Sequence, residues 1–459
     1  MPGELQTILT RFDNPAVRQS AALDALVRDA VFGAPEVRRR ARWLIWEIGQ
    51  RAEVRPASIH ELYLARGRGD VPPFTTPAIN VRIVAYDSAR AIFRAARRLD
   101  VGAVICEIAR SEIAYTDQRP DEYLTVMMAA ALREGFRGPL FVQGDHVQVN
   151  AKKYAADPET ELAAIRALIQ EELHAGFYNI DVDTSTLVDL AQPTLDEQQR
   201  TNYERAAELT RFIREHEPEG VTVSVGAEIG EVGGKNSDVH ELAAFMDGYQ
   251  RTLRRLGAHY AGISKISVQT GTSHGGVVLP DGSIAKVQLD LAALQALSHD
   301  ARTKYGLGGA VQHGASTLPP DAFGRFPECE AVEIHLATNF QTLVFDHPRL
   351  PADLRREITE WVTAECKDEW KKGDTEGQFI YKSRKKAIGP FKRRCWDLPE
   401  EVRAAIGADL EKTFAFLFEQ LRVAGTRAAT DRYVRPVPQS HAAPREALVA
   451  APDDVEAGE

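Results

Sequence analysis

One stretch of the sequence, residues 138–183, shows the alternation that decides the fold: GPLFVQGDHVQVNAKKYAADPETELAAIRALIQEELHAGFYNIDVD. It begins with an apolar run at 138–144 and ends with a second one at 177–182. Between them, apolar residues recur at helical spacing in a segment that starts with Asp157 as N-cap and stops at Gly176. The stretch therefore predicts a strand, a helix and a second strand.

The same alternation extends over most of the chain. Short apolar runs lie at 77–81, 101–108, 138–144, 177–182, 221–226, 262–268, 308–312 and 330–336. Near-continuous apolar strands are typical of a parallel sheet that is buried on both faces. Strands of this kind, with amphipathic segments between them, predict an α/β fold, a closed (β/α)8 or TIM barrel. An open doubly wound sheet is the structural alternative, but no glycine-rich dinucleotide fingerprint follows the first strand.

The regions outside the barrel have a different pattern. Residues 1–75 predict an N-terminal helical extension and a linker, and the barrel is expected to occupy 76–345. Further amphipathic helices are expected in 346–435. Residues 436–459 are rich in Pro, Ala and acidic side chains, a composition typical of a disordered tail.

The composition argues against several classes of protein. The formal net charge of -10 gives no basic footprint for nucleic acid. None of the 4 cysteines is paired at CxxC spacing, which favours a reducing compartment over a disulfide framework. The first residues carry charges where a secretory signal needs an apolar stretch, and no apolar run is long enough to cross a membrane. We therefore expect a cytoplasmic protein without nucleic-acid or membrane partners.

Histidines and carboxylates collect at one end of the predicted strands. In chain order they are Asp145, His146, Asp183, Glu228, His274, His313 and His335. Catalytic residues of TIM barrels lie at the C-terminal ends of the strands, and three imidazoles with an open position are typical of catalytic zinc. Each residue alone is better explained as a structural polar group, but the set indicates a metal site at the barrel mouth.

Several motifs, in order along the chain, carry a family resemblance. They are DH at 145–146, FYNIDVDTS at 177–185, VSVGAEIGEVGG at 223–234, GTSHG at 271–275, HGASTLP at 313–319 and RKKAIGPF at 384–391. With these motifs the chain resembles the class II, zinc-dependent fructose-bisphosphate and tagatose-bisphosphate aldolases from about residue 76 to 392. The resemblance implies a carbon–carbon lyase that cleaves or forms a phosphorylated ketose through a zinc-stabilised enediolate.

The resemblance also implies roles for single residues. It makes His146, His274 and His313 the ligands of one catalytic divalent ion, Zn²⁺, with Glu228 at a second or alternate metal position. Asp145 becomes the general acid/base that protonates the departing aldehyde oxygen. A monovalent cation as a further cofactor is left open.

Substrate contacts and assembly follow from the same resemblance. The residues implied for the phosphate are Gly275, Gly314, Ser316, Thr338 and Asn339, and those for the pocket wall are Asn80 and Ser111. Backbone N–H groups at a helix N-terminus favour an anion, which suits the phosphate position. The expected small-molecule partner is a sugar phosphate, and the expected assembly is a homodimer or homotetramer.

The chain departs from the family pattern in the loop after 233–234. At the position of the family's acidic base stands Asn236, whose amide cannot accept a proton as a carboxylate does. Glu231, Asp238 and His240 are open alternatives.

A second departure lies in the last strand, where His335 replaces the family's Asn. Its imidazole titrates near neutral pH, so it is a candidate catalytic residue, as a replacement base. A reshaped pocket and a purely structural histidine are the competing interpretations.

Competing functions follow from the same residues. Lys265 on the sixth strand offers a Schiff-base reaction, which would leave the histidines unexplained. The runner-up function is a metal-dependent epimerase, isomerase or other lyase acting on a non-standard sugar or sugar acid. A barrel that binds a sugar phosphate without catalysis is the third. The basic run at 382–386 is expected to be a surface loop, with a sugar-phosphate contact across a subunit interface as the alternative.

Overall fold

Parallel strands form the centre of the protein. The computed structural model describes residues 3–230, 235–271 and 289–444, and in these residues nine strands form one sheet. They are β1 (Val54–Pro56), β2 (Thr76–Ile79), β3 (Ile105–Ala109), β4 (Gly138–Gln148), β5 (Asn179–Asp183), β6 (Ser224–Glu228), β7 (Lys265–Val268), β8 (Ala310–Gln312) and β9 (Glu333–Leu336). Strands β2 to β9 pair in chain order, and β9 returns to pair with β2, which closes the barrel. Each predicted apolar run overlaps one of these strands, so the TIM barrel is confirmed.

Strand β1 lies outside the closed ring and pairs in parallel with the start of β4, where Val54 is opposite Gly138. The sequence did not predict it. Three residues that end in a proline give neither the alternation nor the length by which a strand is recognised.

The helices of the described residues fall into three groups. The N-terminal helices are α1 (Gly3–Phe12), α2 (Pro15–Arg18), α3 (Ala21–Phe32), α4 (Pro35–Arg51) and α5 (His60–Arg68). The barrel helices are α6 (Ala85–Arg98), α7 (Arg110–Thr116), α8 (Pro120–Arg133), α9 (Ala151–Ala156), α10 (Pro158–Ala175), α11 (Leu195–His216), α12 (Val239–Leu256), α13 (Leu291–Thr303), α14 (Arg325–Glu328) and α15 (Thr338–Phe345). The C-terminal helices are α16 (Ala352–Glu365), α17 (Glu376–Ser383), α18 (Lys392–Trp396), α19 (Glu400–Gln420) and α20 (Arg427–Tyr433).

Local signals set the ends of α10 as the sequence predicted. The side chain of Asp157 accepts a hydrogen bond from the backbone N–H of Thr160 at 3.1 Å, which caps the helix N-terminus. Gly176 ends the helix with a φ of 101°, a left-handed conformation that a glycine adopts without steric cost.

The extensions at both termini pack on the barrel helices. Helices α3 and α4 lie against α8, and α19 lies against α6. Residues 436–444, the beginning of the predicted tail, lie against α4: the indole N–H of Trp46 donates to the carbonyl of Gln439 at 3.0 Å, and His441 stacks on Trp46. An ordered segment therefore extends into the region that composition assigned to a tail. In the part of the chain that the structure describes, no helix is long and apolar enough to span a bilayer.

Candidate metal centre

The carboxyl ends of the barrel strands surround a cavity of about 620 Å³. Its lining combines histidines and carboxylates at the centre with basic side chains at the rim. The lining includes Arg82, Glu107, Ser111, Glu112, Asp145, His146, His313, Gly314, Ser316, His335, Thr338, Lys382 and Lys385.

A bulge in β4 brings Asp145 and His146 into this cavity together. The β4–β5 register pairs Gly144 with Ile180 but Val147 with Val182, so one residue of β5 stands opposite two of β4. His146 takes a φ of 41°, which is uncommon for a residue with a side chain. Neighbouring residues of a regular strand point to opposite faces, and the bulge re-aims them.

Asp145, His146 and His313 form the first candidate metal cluster. Each offers one ligand atom, and these atoms lie within 4.8 Å of one another. The two imidazole rings are 4.3 Å apart between centroids. His313 follows β8 and is 1% exposed, with its Nε2 3.0 Å from the hydroxyl oxygen of Ser267. Imidazole nitrogens with a carboxylate are a ligand set that suits a divalent transition metal.

The orientation of the His146 ring fits a ligand role. Its Nδ1 lies 3.0 Å from Asp183 Oδ2 and 3.4 Å from Glu228 Oε2, while Nε2 lies 3.9 Å from Asp145 Oδ1. A metal-binding histidine commonly donates its other ring N–H to a carboxylate. Asp183 serves that purpose here and turns Nε2 toward Asp145.

Glu228 lies near Nδ1 of His146, whereas Asp145 lies near Nε2 of the same ring. His146, Asp183 and Glu228 form a second cluster with ligand atoms within 4.8 Å. One imidazole cannot direct both nitrogens at one ion, so the two clusters are two distinct positions around His146. The second cluster contains Glu228, and its role at a second or alternate metal position stays a prediction. The predicted ligand His274 and the predicted phosphate contact Gly275 lie outside the described residues.

His335 lies among four carboxyl groups, those of Glu107, Asp145, Glu333 and, 3.6 Å from Nε2, Asp181. Its Nδ1 is 3.0 Å from Glu107 Oε2 and 3.1 Å from Asp145 Oδ1, and its Nε2 is 2.6 Å from Glu333 Oε1. Burial alone would lower the pKa of His335, but Glu107 and Asp145 outweigh it and raise that pKa well above its ordinary value. The carboxyl groups around it therefore favour the protonated imidazole, and the role of His335 as a replacement base stays a prediction.

A charged network continues below His335 into the barrel. Lys265 is fully buried, and its Nζ donates to Gln143 at 2.7 Å and to Glu333 at 2.5 Å, and pairs with Asp181 at 2.8 Å. Burial favours the neutral amine, but Asp181 and Glu333 together raise the pKa of Lys265. A firmly protonated amine with three partners is not poised as a Schiff-base nucleophile.

The predicted substrate contacts divide into two groups. Ser111, Gly314, Ser316 and Thr338 line the cavity, and the Ser316 hydroxyl accepts from the backbone N–H of Ala337 at 2.8 Å at the start of α15. The remaining two do not reach the cavity lining.

Asn80 is buried, and its amide donates to Glu112 at 2.5 Å and accepts from Arg82. Asn339 is exposed and lines a neighbouring cavity of about 330 Å³ beside Phe416.

Basic side chains from two parts of the chain form the cavity rim. Arg82, after β2, pairs with Glu112 at 2.6 Å. Lys382 is the penultimate residue of α17, and Lys385 follows the helix; both line the cavity of their own chain. Lys385 is half-buried, and burial followed by the charge of Arg82 lowers its pKa. The basic run is thus part of the site in the same subunit, and not only a surface loop as the sequence suggested.

The charged residues that the sequence reading missed include two that lie inside strands. Glu107 and Glu333 interrupt apolar runs, and both are at most 1% exposed. A buried carboxylate inside an otherwise apolar strand is unusual and needs partners, so the interruption itself was an available signal.

A family model described as "Fructose-bisphosphate aldolase class-II" matches residues 73–380. The chain belongs to this family. Class II fructose-bisphosphate aldolases are typically dependent on a divalent metal, and the clusters around His146 could hold one. No curated protein matches this class II family member by sequence.

Several solved structures align with this class II family member at low sequence identity. A probable tagatose 6 phosphate kinase from Sinorhizobium meliloti 1021 aligns with a TM-score of 0.53 and 18% identity, over 78% of this chain and 93% of that chain. A putative fructose-1,6-biphosphate aldolase from Coccidioides immitis aligns with a TM-score of 0.45 and 20% identity, over 81% and 98%. The fructuronate-tagaturonate epimerase UxaE from Cohnella laeviribosi gives 0.48 and 13%, over 85% and 86%.

Proposed function

We propose that the protein is a zinc-dependent aldolase, a carbon–carbon lyase that cleaves or forms a phosphorylated ketose. The observation that carries the proposal is the convergence of Asp145, His146 and His313 in one cavity whose rim is basic. Family membership supports the metal dependence, and the histidines favour zinc among divalent ions. A divalent ion bound there would act as a Lewis acid and stabilise the enediolate left by carbon–carbon cleavage.

The chain's own residues supply the rest of the reaction. Asp145 faces the cavity beside His146, where its carboxylate can accept the hydroxyl proton of the carbon that becomes the aldehyde. The start of α15, with Ser316 and Thr338 at its turn, offers a polar site for the phosphate. Lys382 and Lys385 add positive charge at the rim, which favours an anionic substrate over a neutral sugar.

The first experiment is elemental analysis of wild type and His146→Ala, combined with cleavage assays on fructose- and tagatose-bisphosphate. We expect about one divalent ion per chain in the wild type, and loss of both ion and cleavage in the variant. His347→Ala is the matched control, because His347 is also a histidine with little exposure but lies near Asp409, away from the cavity lining. Cleavage that persists after complete removal of metal would contradict the proposal.

A further inference from the structure

The aldolase reaction needs a group that exchanges a proton with the substrate carbon, and the sequence left that group open. Asp238 is committed to α12: its side chain accepts from the backbone N–H groups of His240 at 2.8 Å and Glu241 at 3.0 Å. His240 is exposed, and neither residue belongs to the cavity lining. Glu231 lies outside the described residues. Both ring nitrogens of His335 already face carboxyl partners, Nδ1 facing Glu107 and Asp145 and Nε2 facing Glu333.

The cavity lining contains a carboxyl group that none of these alternatives included. Glu112 and Glu107 both line the cavity, but Glu112 is paired with Arg82 at 2.6 Å. Glu107 has no cationic side chain of Lys or Arg within ion-pair distance among the described residues. Its Oε2 accepts from Gln143 at 3.2 Å and lies 3.0 Å from the Nδ1 of His335.

The position of Glu107 follows from the register of the barrel. In the β3–β4 ladder Glu107 is opposite Gln143, and Ala109 is opposite Asp145, so the two carboxyl groups come from neighbouring strands of one mouth. Asp145 Oδ1 lies 3.1 Å from the same His335 nitrogen that Glu107 approaches. Two carboxyl groups therefore flank one imidazole nitrogen and face one cavity, an arrangement suited to paired acid and base roles.

We propose that Glu107 is the catalytic residue that exchanges the proton at the substrate carbon, in place of the family's loop carboxylate, whose position is taken by Asn236 in this chain. The inference rests on the proposed aldolase function. In the cleavage direction, Asp145 takes the hydroxyl proton, the carbon–carbon bond breaks, and its electron pair stays on the ketose half. The carboxylic acid of Glu107 then donates its proton to that carbon, the electron pair forms the new C–H bond, and Glu107 becomes a carboxylate. His335 contacts both groups and provides the path by which the proton on Asp145 returns to Glu107.

The test measures two steps separately in the variant Glu107→Gln: cleavage of the carbon–carbon bond and protonation of the substrate carbon. Cleavage is followed by trapping the carbanionic ketose half with hexacyanoferrate(III), and protonation by deuterium exchange from solvent into dihydroxyacetone phosphate. We expect the variant to keep its metal and the oxidant-trapped cleavage, and to lose about 100-fold or more in deuterium exchange. Glu231→Gln, the same substitution at the rival position, is expected to exchange like the wild type.

Three results would overturn the inference. Exchange lost in Glu231→Gln but kept in Glu107→Gln assigns the role to the loop, and equal loss in both removes the distinction. Loss of bound metal in Glu107→Gln makes Glu107 a ligand, since it forms a cluster with Asp145 and His335 within 4.8 Å. If the wild type shows neither cleavage nor exchange, the proposed aldolase function is wrong. This result differs from the others, in which the wild type is active and only the role of Glu107 is wrong.

Discussion

At the scale of single residues, Lys385 links the C-terminal segment to substrate charge. It lines the cavity, is half-buried, and lies near the guanidinium of Arg82, which already has Glu112 as its partner. We expect Lys385→Ala to raise the KM for a ketose bisphosphate about 10-fold, about 1.4 kcal/mol, with little change in kcat. The reason is the loss of a charge that attracts the anion without taking part in bond cleavage.

The matched control for this prediction is Lys386→Ala. Lys386 pairs with Glu369 and lies outside the cavity lining, so its removal changes the net charge equally without changing the site. Steady-state kinetics at low and high salt make the comparison. An equal rise of KM in both variants would show that Lys385 acts only through the general surface field.

The sequence predicted the location of those site residues that directly follow a predicted strand. His146, His313 and Asp145 follow apolar runs, and the barrel rule places such residues at one mouth. The link from His335 on β9 to Glu107 on β3 was not predictable, because it exists only once β9 has paired with β2. The hydrogen bond from Asn80 to Glu112 was not predictable either, since side chains that meet from separate segments leave no spacing signal in the sequence.

At the scale of elements, the packing of α10 on β4 fixes the bulge that carries Asp145 and His146. Glu172 of α10 is fully buried, and a Cβ added at Gly144 would lie 2.5 Å from Glu172 Oε2. We expect Gly144→Ala to destabilise the fold by about 1–3 kcal/mol and to lower metal content, because the bulge must shift. The added substitution Glu172→Ala removes the obstructing carboxyl group and is expected to restore much of both.

Thermal unfolding and elemental analysis of the two single variants and the double variant measure this coupling as a double-mutant cycle. Additive effects in the cycle would show that Gly144 is required for reasons other than its contact with Glu172. The outcome bears on the site directly, since Gly144 is the last β4 residue paired with β5 before the register shift.

The elements themselves were largely readable from the sequence, for a physical reason. Strands of a barrel covered by helices are apolar on both faces, so the runs at 177–182 and 308–312 stand out against the amphipathic helices. The bulge in β4 was not readable, since polar residues follow the apolar run at 138–144 and nothing in them or in the later Val147 and Val149 marks an extra residue. The start of the third strand was predicted too early, at 101 and not at Ile105. Residues 101–104 are buried and apolar although they precede the hydrogen-bonded ladder.

At the scale of the whole molecule, the segments outside the barrel take part in both its stability and its site. The barrel helices α6 and α8 are covered by α19 and by α3 and α4, while Lys385 reaches back into the cavity. Composition alone could not reveal this, because an amphipathic helix pattern does not state which surface it covers. Residues 436–444 show the same limit: the Pro, Ala and acidic composition of 436–459 suggested disorder, yet the indole N–H of Trp46 donates to the carbonyl of Gln439.

Two histidines outside the barrel have lowered pKa values, from which we predict how the stability of the protein changes in acid. His60 begins α5 and is 5% exposed, and burial followed by the charge of Arg214 lowers its pKa to about 4. His441 stacks on Trp46, and burial followed by the charge of His174 lowers its pKa to about 4 as well. In the unfolded chain these histidines become protonated as the pH falls through the ordinary value of 6.5, whereas in the folded protein they do so only near pH 4. They therefore leave the free energy of unfolding unchanged above pH 6.5 and lower it between pH 6.5 and about 4.

For His60 this linkage amounts to about 2 kcal/mol at pH 5 relative to pH 7. We expect His60→Gln to flatten the loss of stability between these two pH values by about that amount, whatever its effect at pH 7, because glutamine does not titrate. Denaturant unfolding at both pH values measures the difference, and His216→Gln, an exposed histidine on α11, is expected to keep the wild-type dependence. An unchanged pH dependence in His60→Gln would mean that α5 opens at its start and lets His60 protonate in the folded protein. The N-terminal segment would then be a separately unfolding unit and not part of one cooperative structure with the barrel.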